Sequence, residues 1–440
     1  MSELKVRTFL KSLRRVIRQA TLYPVGHPAV QEALHTAEFD LEDMVGDIGD
    51  MTLIIHDSAL YRDRGLLPHA SLEFEGMMRE MEKRAIESVT LLSPTSRDDI
   101  YDFGAFIAGI SDDLPADGTV RLNERTFSDM ELDNSPLANL RRSYASSVDA
   151  VRTATRSLAR GEGFEINTVV RAVESLTDSA MASPGAALLL STVKSHDEYT
   201  YFHSVNTSIL ALALGRIVGL DKNDLLPIGM GSLLHDIGKV AVPPETLQHP
   251  GRLDDEQWRE IQLHPQEGAQ AIMAAQGPGH ELAATIAFEH HARFDGKGYP
   301  AVSRERQPHV FSRLVAVCDT YDAITTRRSY RRAETPNRAL RVLLTGMGGH
   351  YDPDLVRVFI KMMGVYPTGS ILRNTSGEML MVAPHEGGQA DELPGFLVRT
   401  SGGELLEVPE PKPIVMDGVV EQVLPADAGF DPAAYLEYAA

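Results

Sequence analysis

Cysteine is almost missing from this chain of 440 residues: Cys318 stands alone, which excludes an internal disulfide and suits a reducing cytosol. Long apolar runs are missing too. No stretch of about eighteen or more apolar residues occurs and the first thirty residues have no signal-peptide pattern, so a cytoplasmic protein without a membrane span is expected. Positive charge is scarce: 42 Lys and Arg against 62 Asp and Glu leave a net charge of −20 and a pI near 5.2. Such a surface repels phosphate backbones and argues against generic binding to DNA or RNA, while a small phosphate ligand can still be met by local cations.

What is present is an ordinary globular composition, 43% apolar, in a chain long enough for two or three domains. Over Glu3–Leu22, Val6, Phe9, Leu10, Leu13, Val16 and Ile17 recur at helical spacing, with Lys5, Lys11, Arg14, Arg15 and Arg18 elsewhere around the helix; we read a domain helix with a solvated basic face rather than a membrane-surface helix. A second helix is predicted over 29–45, strands over 52–56 and 88–92, and helices over 67–85 and 97–108. This gives a small α+β domain of unknown role, residues 1–115. Residues 116–184 read as a helical connector: a strand at 119–122, then helices at 137–160 and 166–181 joined by the Gly161–Gly163 turn, with three readings open: a signalling connector, a dimerisation pair that would make a homodimer, or a connector that merely packs on the next domain. Residues 185–368 are helical almost throughout, with helices predicted over 185–195, 199–219, 222–237, 254–275, 279–291, 308–326, 335–346 and 353–364. Asp254 is the expected N-cap of the fourth. Residues 369–440 read as two β-hairpins and a loosely packed acidic tail. The fold class is therefore mainly α, a helical bundle between an N-terminal α+β domain and a small C-terminal β extension.

The chemistry lies between His203 and Asp319. His203, the pair His235-Asp236, His264, the pair His290-His291 and Asp319 follow one another at about helix-pair spacing, so separate helices can each deliver a ligand inward. Imidazoles and carboxylates together suit first-row transition metals, and five histidines with two aspartates suffice for two ions. A carboxylate can bridge two cations while the histidine beside it ligates one, which makes His235-Asp236 a natural centre. Gly296 and Gly298 ease the turn after the histidine pair, and Pro300 stops helix continuation. His27, His56 and His69 share no ligand pattern and are expected to be surface or hydrogen-bonding residues. Cys318, beside Asp319, is read as a small buried residue.

HDIGK at 235–239, His264-Pro265, His290-His291, DGKGYP at 295–300 and DTYDAITTRRSYR at 319–331 stand in the order and spacing of the HD-GYP family of the HD phosphohydrolase superfamily, which the chain resembles over roughly 185–370. The resemblance implies an HD-type all-α bundle and an enzyme, a metal-dependent phosphodiesterase that hydrolyses cyclic di-GMP to linear pGpG and onward to GMP. It implies one metal held by His203, His235, Asp236 and Asp319, and a second held by His264, His290 and His291 with Asp236 bridging. The ions would be iron or manganese, with a bridging hydroxide as nucleophile. Lys239 matches the lysine near the scissile phosphate, and Asp322, Arg328 and Arg331 match ligand-contact positions. Tyr299 and Pro300 belong to the loop that the family associates with contacts to diguanylate cyclase domains. Two departures stand out: Tyr199 replaces the glutamate of three-metal members, and Ala292 replaces the glutamate usual after the histidine pair. A receptor that binds the nucleotide without cleaving it, and a hydrolase for another nucleotide such as cyclic GMP-AMP, are the alternative readings.

Overall fold

The computed structural model describes residues 3–45, 49–56, 59–62, 65–115, 118–125, 135–192, 199–247, 249, 251–301, 306–326, 333–385, 391–430 and 432. The chain divides into two compact units, Met1–Arg142 and Ser143–Ala440.

In the first unit, α1 (Glu3–Leu22) and α2 (Pro28–Val45) pack with an antiparallel sheet of β1 (Met51–His56), β2 (Ala59–Arg62), β3 (Gly65–Leu66), β4 (Ser88–Leu91) and β5 (Val120–Leu122), in the order β3-β2-β1-β4-β5. The apolar stripe of α1 is buried as its spacing requires: Val6, Phe9, Leu10, Leu13 and Val16 enter one core with Leu34, Leu53, Phe74, Met78, Ile100 and Phe103. Its basic residues meet carboxylates, Arg7 with Glu73 at 2.8 Å and Arg15 with Glu32 at 2.9 Å. The single helix expected over 67–85 is two, α3 (Pro68–Glu73) and α4 (Glu75–Lys83), because Phe74 leaves helical angles and buries its ring, with the Arg14 guanidinium 5.1 Å above it. α5 (Arg97–Ala108) starts with a Ser96–Asp99 capping box. β5 pairs with β4 (Leu91↔Val120, Val89↔Leu122), so this unit runs past the boundary drawn at 115 from sequence.

The second unit is mainly helical: α6 (Pro136–Ala159), α7 (Ile166–Ala182), α8 (Pro184–Leu190), α9 (Tyr199–Ile217), α10 (Lys222–Leu234), a 3-10 turn at Ile237–Ala241, α11 (Pro244–Leu247), α12 (Asp255–Gln262), α13 (His264–Ala275), α14 (His280–Glu289), α15 (Val310–Thr325), α16 (Pro336–Thr345) and α17 (Pro353–Met363). α10 lies between two close neighbours. A Cβ at Gly229 would meet Val173 of α7 at 2.5 Å, and one at Gly231 would meet Ile286 of α14 at 2.7 Å, so the Gly-Met-Gly run admits both helices. Leu210, Leu214, Ile228, Ile286, Val315 and Phe359 form the apolar part of the core.

A second antiparallel sheet follows, ordered β10-β9-β7-β6-β12, from β6 (Ile371–Asn374), β7 (Met379–Val382), β9 (Gly395–Arg399), β10 (Leu405–Pro411) and β12 (Val419–Val423), with β8 (Glu392–Leu393) pairing β11 (Ile414–Val415) apart from it. Both expected hairpins are there. The loose tail is corrected in part: β12 closes the sheet on β6, Val423 opposite Ile371 and Gln422 opposite Leu372, a pairing some fifty residues distant that local pattern does not reveal. Among the described residues no helix is long and apolar enough to cross a membrane. The architecture is the expected one, a mainly α chain with an N-terminal α+β domain and a C-terminal β extension.

Candidate metal centre

Each candidate ligand sits where a helix starts, ends or faces inward. His203 is on α9, His235 caps the C-terminus of α10 with Asp236 just beyond it, His264 opens α13, His290 caps the C-terminus of α14 with His291 following, and Asp319 is on α15. The structure brings them together in two groups that share one residue. Ligand atoms of Asp236, His264, His290 and His291 lie within 4.8 Å of one another, as do those of His203, His235 and Asp236. Asp319 joins the second group, its Oδ1 3.0 Å from His203 Nε2 and 3.8 Å from His235 Nε2.

The helix ends explain how the rings are aimed. The last carbonyls of a helix have no intrahelical partner; Ser232 O accepts from His235 Nδ1 at 2.7 Å and Ala287 O from His290 Nδ1 at 2.7 Å. His264 reaches the same arrangement by another route. The helix expected over 254–275 breaks at Leu263, because Pro265 has no N–H to give to Ile261 O. His264 Nδ1 takes that carbonyl instead, at 2.7 Å. A carbonyl can only accept, so each Nδ1 carries a proton, and the neutral rings of His264 and His290 present the Nε2 lone pair inward. His203 is held by a carboxylate: its Nδ1 lies 2.8 Å from Asp322 Oδ2. Gly238 lets the 3-10 turn approach α13 closely enough to put Asp236 against His264, since a Cβ there would lie 2.0 Å from His264 O.

Burial opposes charge on all these groups. On Asp236 it is outweighed by the Lys239 ammonium, 2.5 Å from Oδ2, and by His235, which hold the carboxyl well below the usual range. Asp319 is also held low, the hydrogen bond from His203 and the charge of His235 outweighing burial. Burial pushes His264 down to about 4 and His291 down to about 3, and lowers His290 well below the usual imidazole range with His291 and His235 adding to the effect. These three rings are neutral near pH 7, the form that ligates metals.

Several surrounding residues frame the site. Asp322, matched to a ligand-contact position, is buried behind His203 and also accepts from Thr326 Oγ1 at 3.3 Å; its place makes it a positioning residue for that ring. Glu289 is buried and tethers the start of α15, accepting from His309 N at 2.6 Å and Ser312 Oγ at 2.9 Å while pairing with Arg306 at 2.6 Å. Tyr299, assigned from sequence to partner contacts, walls the site: its ring lies 4.7 Å from that of His291 and 6.4 Å from that of His264. Gly298, at φ 112°, permits this, because a Cβ there would lie 2.5 Å from His291 O. The Cys318 thiol is buried and held protonated by that burial and by Asp319. Arg328 and Arg331 lie outside the described residues, as does the side chain of Tyr199.

A family model described as "HD domain" matches residues 188–355, which hold every one of these ligands. Over those residues the chain is similar to the HD domain family. This bears out the resemblance read from its motifs. Among proteins similar to it, cyclic di-GMP phosphodiesterase PA4108 of Pseudomonas aeruginosa is 36% identical over 238 residues, 54% of this chain and 57% of that one. 3'3'-cGAMP-specific phosphodiesterase 2 of Vibrio cholerae serotype O1 is 30% identical over 173 residues, 39% of this chain and 33% of that one. The chain thus spans little more than half of the first relative and a third of the second. A solved structure, Bd1817, a HDG"Y"P protein from Bdellovibrio bacteriovorus, is similar with a TM-score of 0.44 at 15% identity, covering 71% of this chain and 93% of that one.

Proposed function

We propose that this protein is a metal-dependent phosphodiesterase that hydrolyses cyclic di-GMP to linear pGpG. The observation that carries the proposal is Asp236, one ionised carboxylate shared by two groups of buried histidines. The names of the relatives support the substrate class. In this reading His203, His235, Asp236 and Asp319 hold one divalent ion, and Asp236, His264, His290 and His291 hold the other. The donors fit such ions. His235 Nε2 is buried and without a hydrogen-bond partner, and His264 Nε2 faces His290 Nε2 at 3.2 Å although both rings have committed their protons to backbone carbonyls. Two lone pairs converging in this way repel unless a cation lies between them. Nitrogen and oxygen donors of this kind suit iron or manganese.

Bound there, two such ions supply the Lewis acidity that activates water and stabilises charge developing on a phosphate. The chain supplies the rest. Asp322 orients His203, the helix-end carbonyls orient three further rings, and Lys239 places an ammonium beside Asp236 where a phosphate oxygen approaches. Arg328 and Arg331 are assigned to substrate contact on the strength of the motif. The test is turnover of cyclic di-GMP by protein purified without oxygen, with metals counted and iron or manganese resupplied. Two metals per chain, linear product and loss of activity on chelation are expected. Tight nucleotide binding with no product would instead make the protein a receptor. A preference for cyclic GMP-AMP is the second substrate reading, favoured by the Vibrio relative's name; rates measured side by side on the two dinucleotides decide it.

A further inference from the structure

The single tryptophan of the chain, Trp258, stands on α12 and keeps 46% of its surface exposed. α12 has no buried residue. It is held at its start by the Asp254–Gln257 capping box and along its length by the hydrogen bond from Thr246 Oγ1 to Glu260 at 2.6 Å. Packing therefore covers only part of the indole and leaves nearly half of it open. Among the described residues its one ring contact is with Tyr299, at 5.9 Å and 75° between planes. A near-perpendicular contact covers little of either ring. Tyr299 in turn lies 4.7 Å from His291, so an aromatic step leads from a candidate metal ligand to the open face of Trp258.

We propose that Trp258 stacks on a purine base of the bound cyclic dinucleotide. The proposal rests on the phosphodiesterase reading above and adds where the base goes. A phosphodiester engaged at Asp236 and Lys239 must place its bases one sugar away from the phosphorus, on the scale of the two ring contacts that separate His291 from Trp258. Charge sets the direction: on α12 Asp255, Glu256 and Glu260 outnumber Arg259 and disfavour a phosphate at this wall but not a neutral base, while Lys239 attracts the phosphate. Every base offers a π-face to an indole, so the contact contributes affinity and excludes non-aromatic esters without distinguishing guanine from adenine.

Because Trp258 is the only tryptophan, its emission reads the contact directly in the full-length, manganese-loaded protein. Titration with cyclic di-GMP is expected to quench it saturably, with a midpoint near KM. Trp258→Ala is expected to raise KM about ten- to hundredfold, leaving kcat within about threefold and metal content unchanged, and Trp258→Phe is expected to recover most of the loss. Turnover with unquenched emission and an unmoved KM in Trp258→Ala would overturn the stacking role while the phosphodiesterase reading stands, leaving α12 as a face for a protein partner. Quenching without any product would keep the stacking role and end the hydrolysis reading. Neither quenching nor turnover would end both.

Discussion

The interior of the N-terminal unit and the interior of the helical bundle are built from opposite materials. The first is mainly apolar, filled by Phe9, Leu13, Leu34, Leu53, Phe74, Met78, Ile100 and Phe103, and among its described residues the buried polar side chains are all Ser or Thr. The second buries His203, His235, Asp236, His264, His290, Asp319 and Asp322 beside its apolar core, with Arg152, Asn206 and Glu289 buried as well. Burying such groups costs stability unless each finds a partner. In the bundle the partners are the carbonyls left over at helix ends, the Asp322 carboxylate and the Lys239 ammonium. The first core contributes stability alone; the second accepts a cost in stability to hold lone pairs and charge in one place.

Substitutions can break or sharpen that contrast. The largest effect is expected from Asp236→Ala, which removes the residue common to both ligand groups: bound metal and turnover are abolished while far-UV circular dichroism keeps the helical signal. Full activity in this variant would overturn the two-ion assignment. Phe9→Ala in the N-terminal core should do the reverse. A loss of about 3–5 kcal/mol from the unfolding free energy of that unit is expected, with metal content and turnover per folded molecule unchanged; denaturant unfolding followed alongside activity separates the two. A smaller effect is expected from Asp322→Asn, which keeps the shape but removes the charge behind His203. Metal affinity should fall about 10- to 100-fold, measured by competition with a chelator, with little change in thermal stability. An unaltered affinity would assign Asp322 to packing rather than to ring orientation.

The reach of sequence reasoning differs between these regions for physical reasons. α1 and the start of α12 were legible because a 3.6-residue apolar period and an aspartate N-cap are local signals. The order of the candidate ligands was legible because successive helices carry them, three sites at helix ends and His203 and Asp319 within α9 and α15. The break at Leu263 was also written locally, in His264-Pro265, although its purpose, freeing the Ile261 carbonyl for His264, needs the folded helix to be seen. β12 was not legible, since its partner β6 lies about fifty residues away and a short edge strand has no signature of its own.

The sequence by itself determined the mainly α class, the inward ligand types and their order along the helices, because periodicity, side-chain chemistry and capping are properties of neighbours in the chain. Only tertiary structure decided that Asp322 stands behind His203 and that Tyr299 walls the ligand cluster with Trp258 beside it. It also decided that Gly238 is needed for a close approach to His264. Those facts depend on distances between helices, and such distances arise only when α9, α10, α13, α14 and α15 pack around one shared carboxylate.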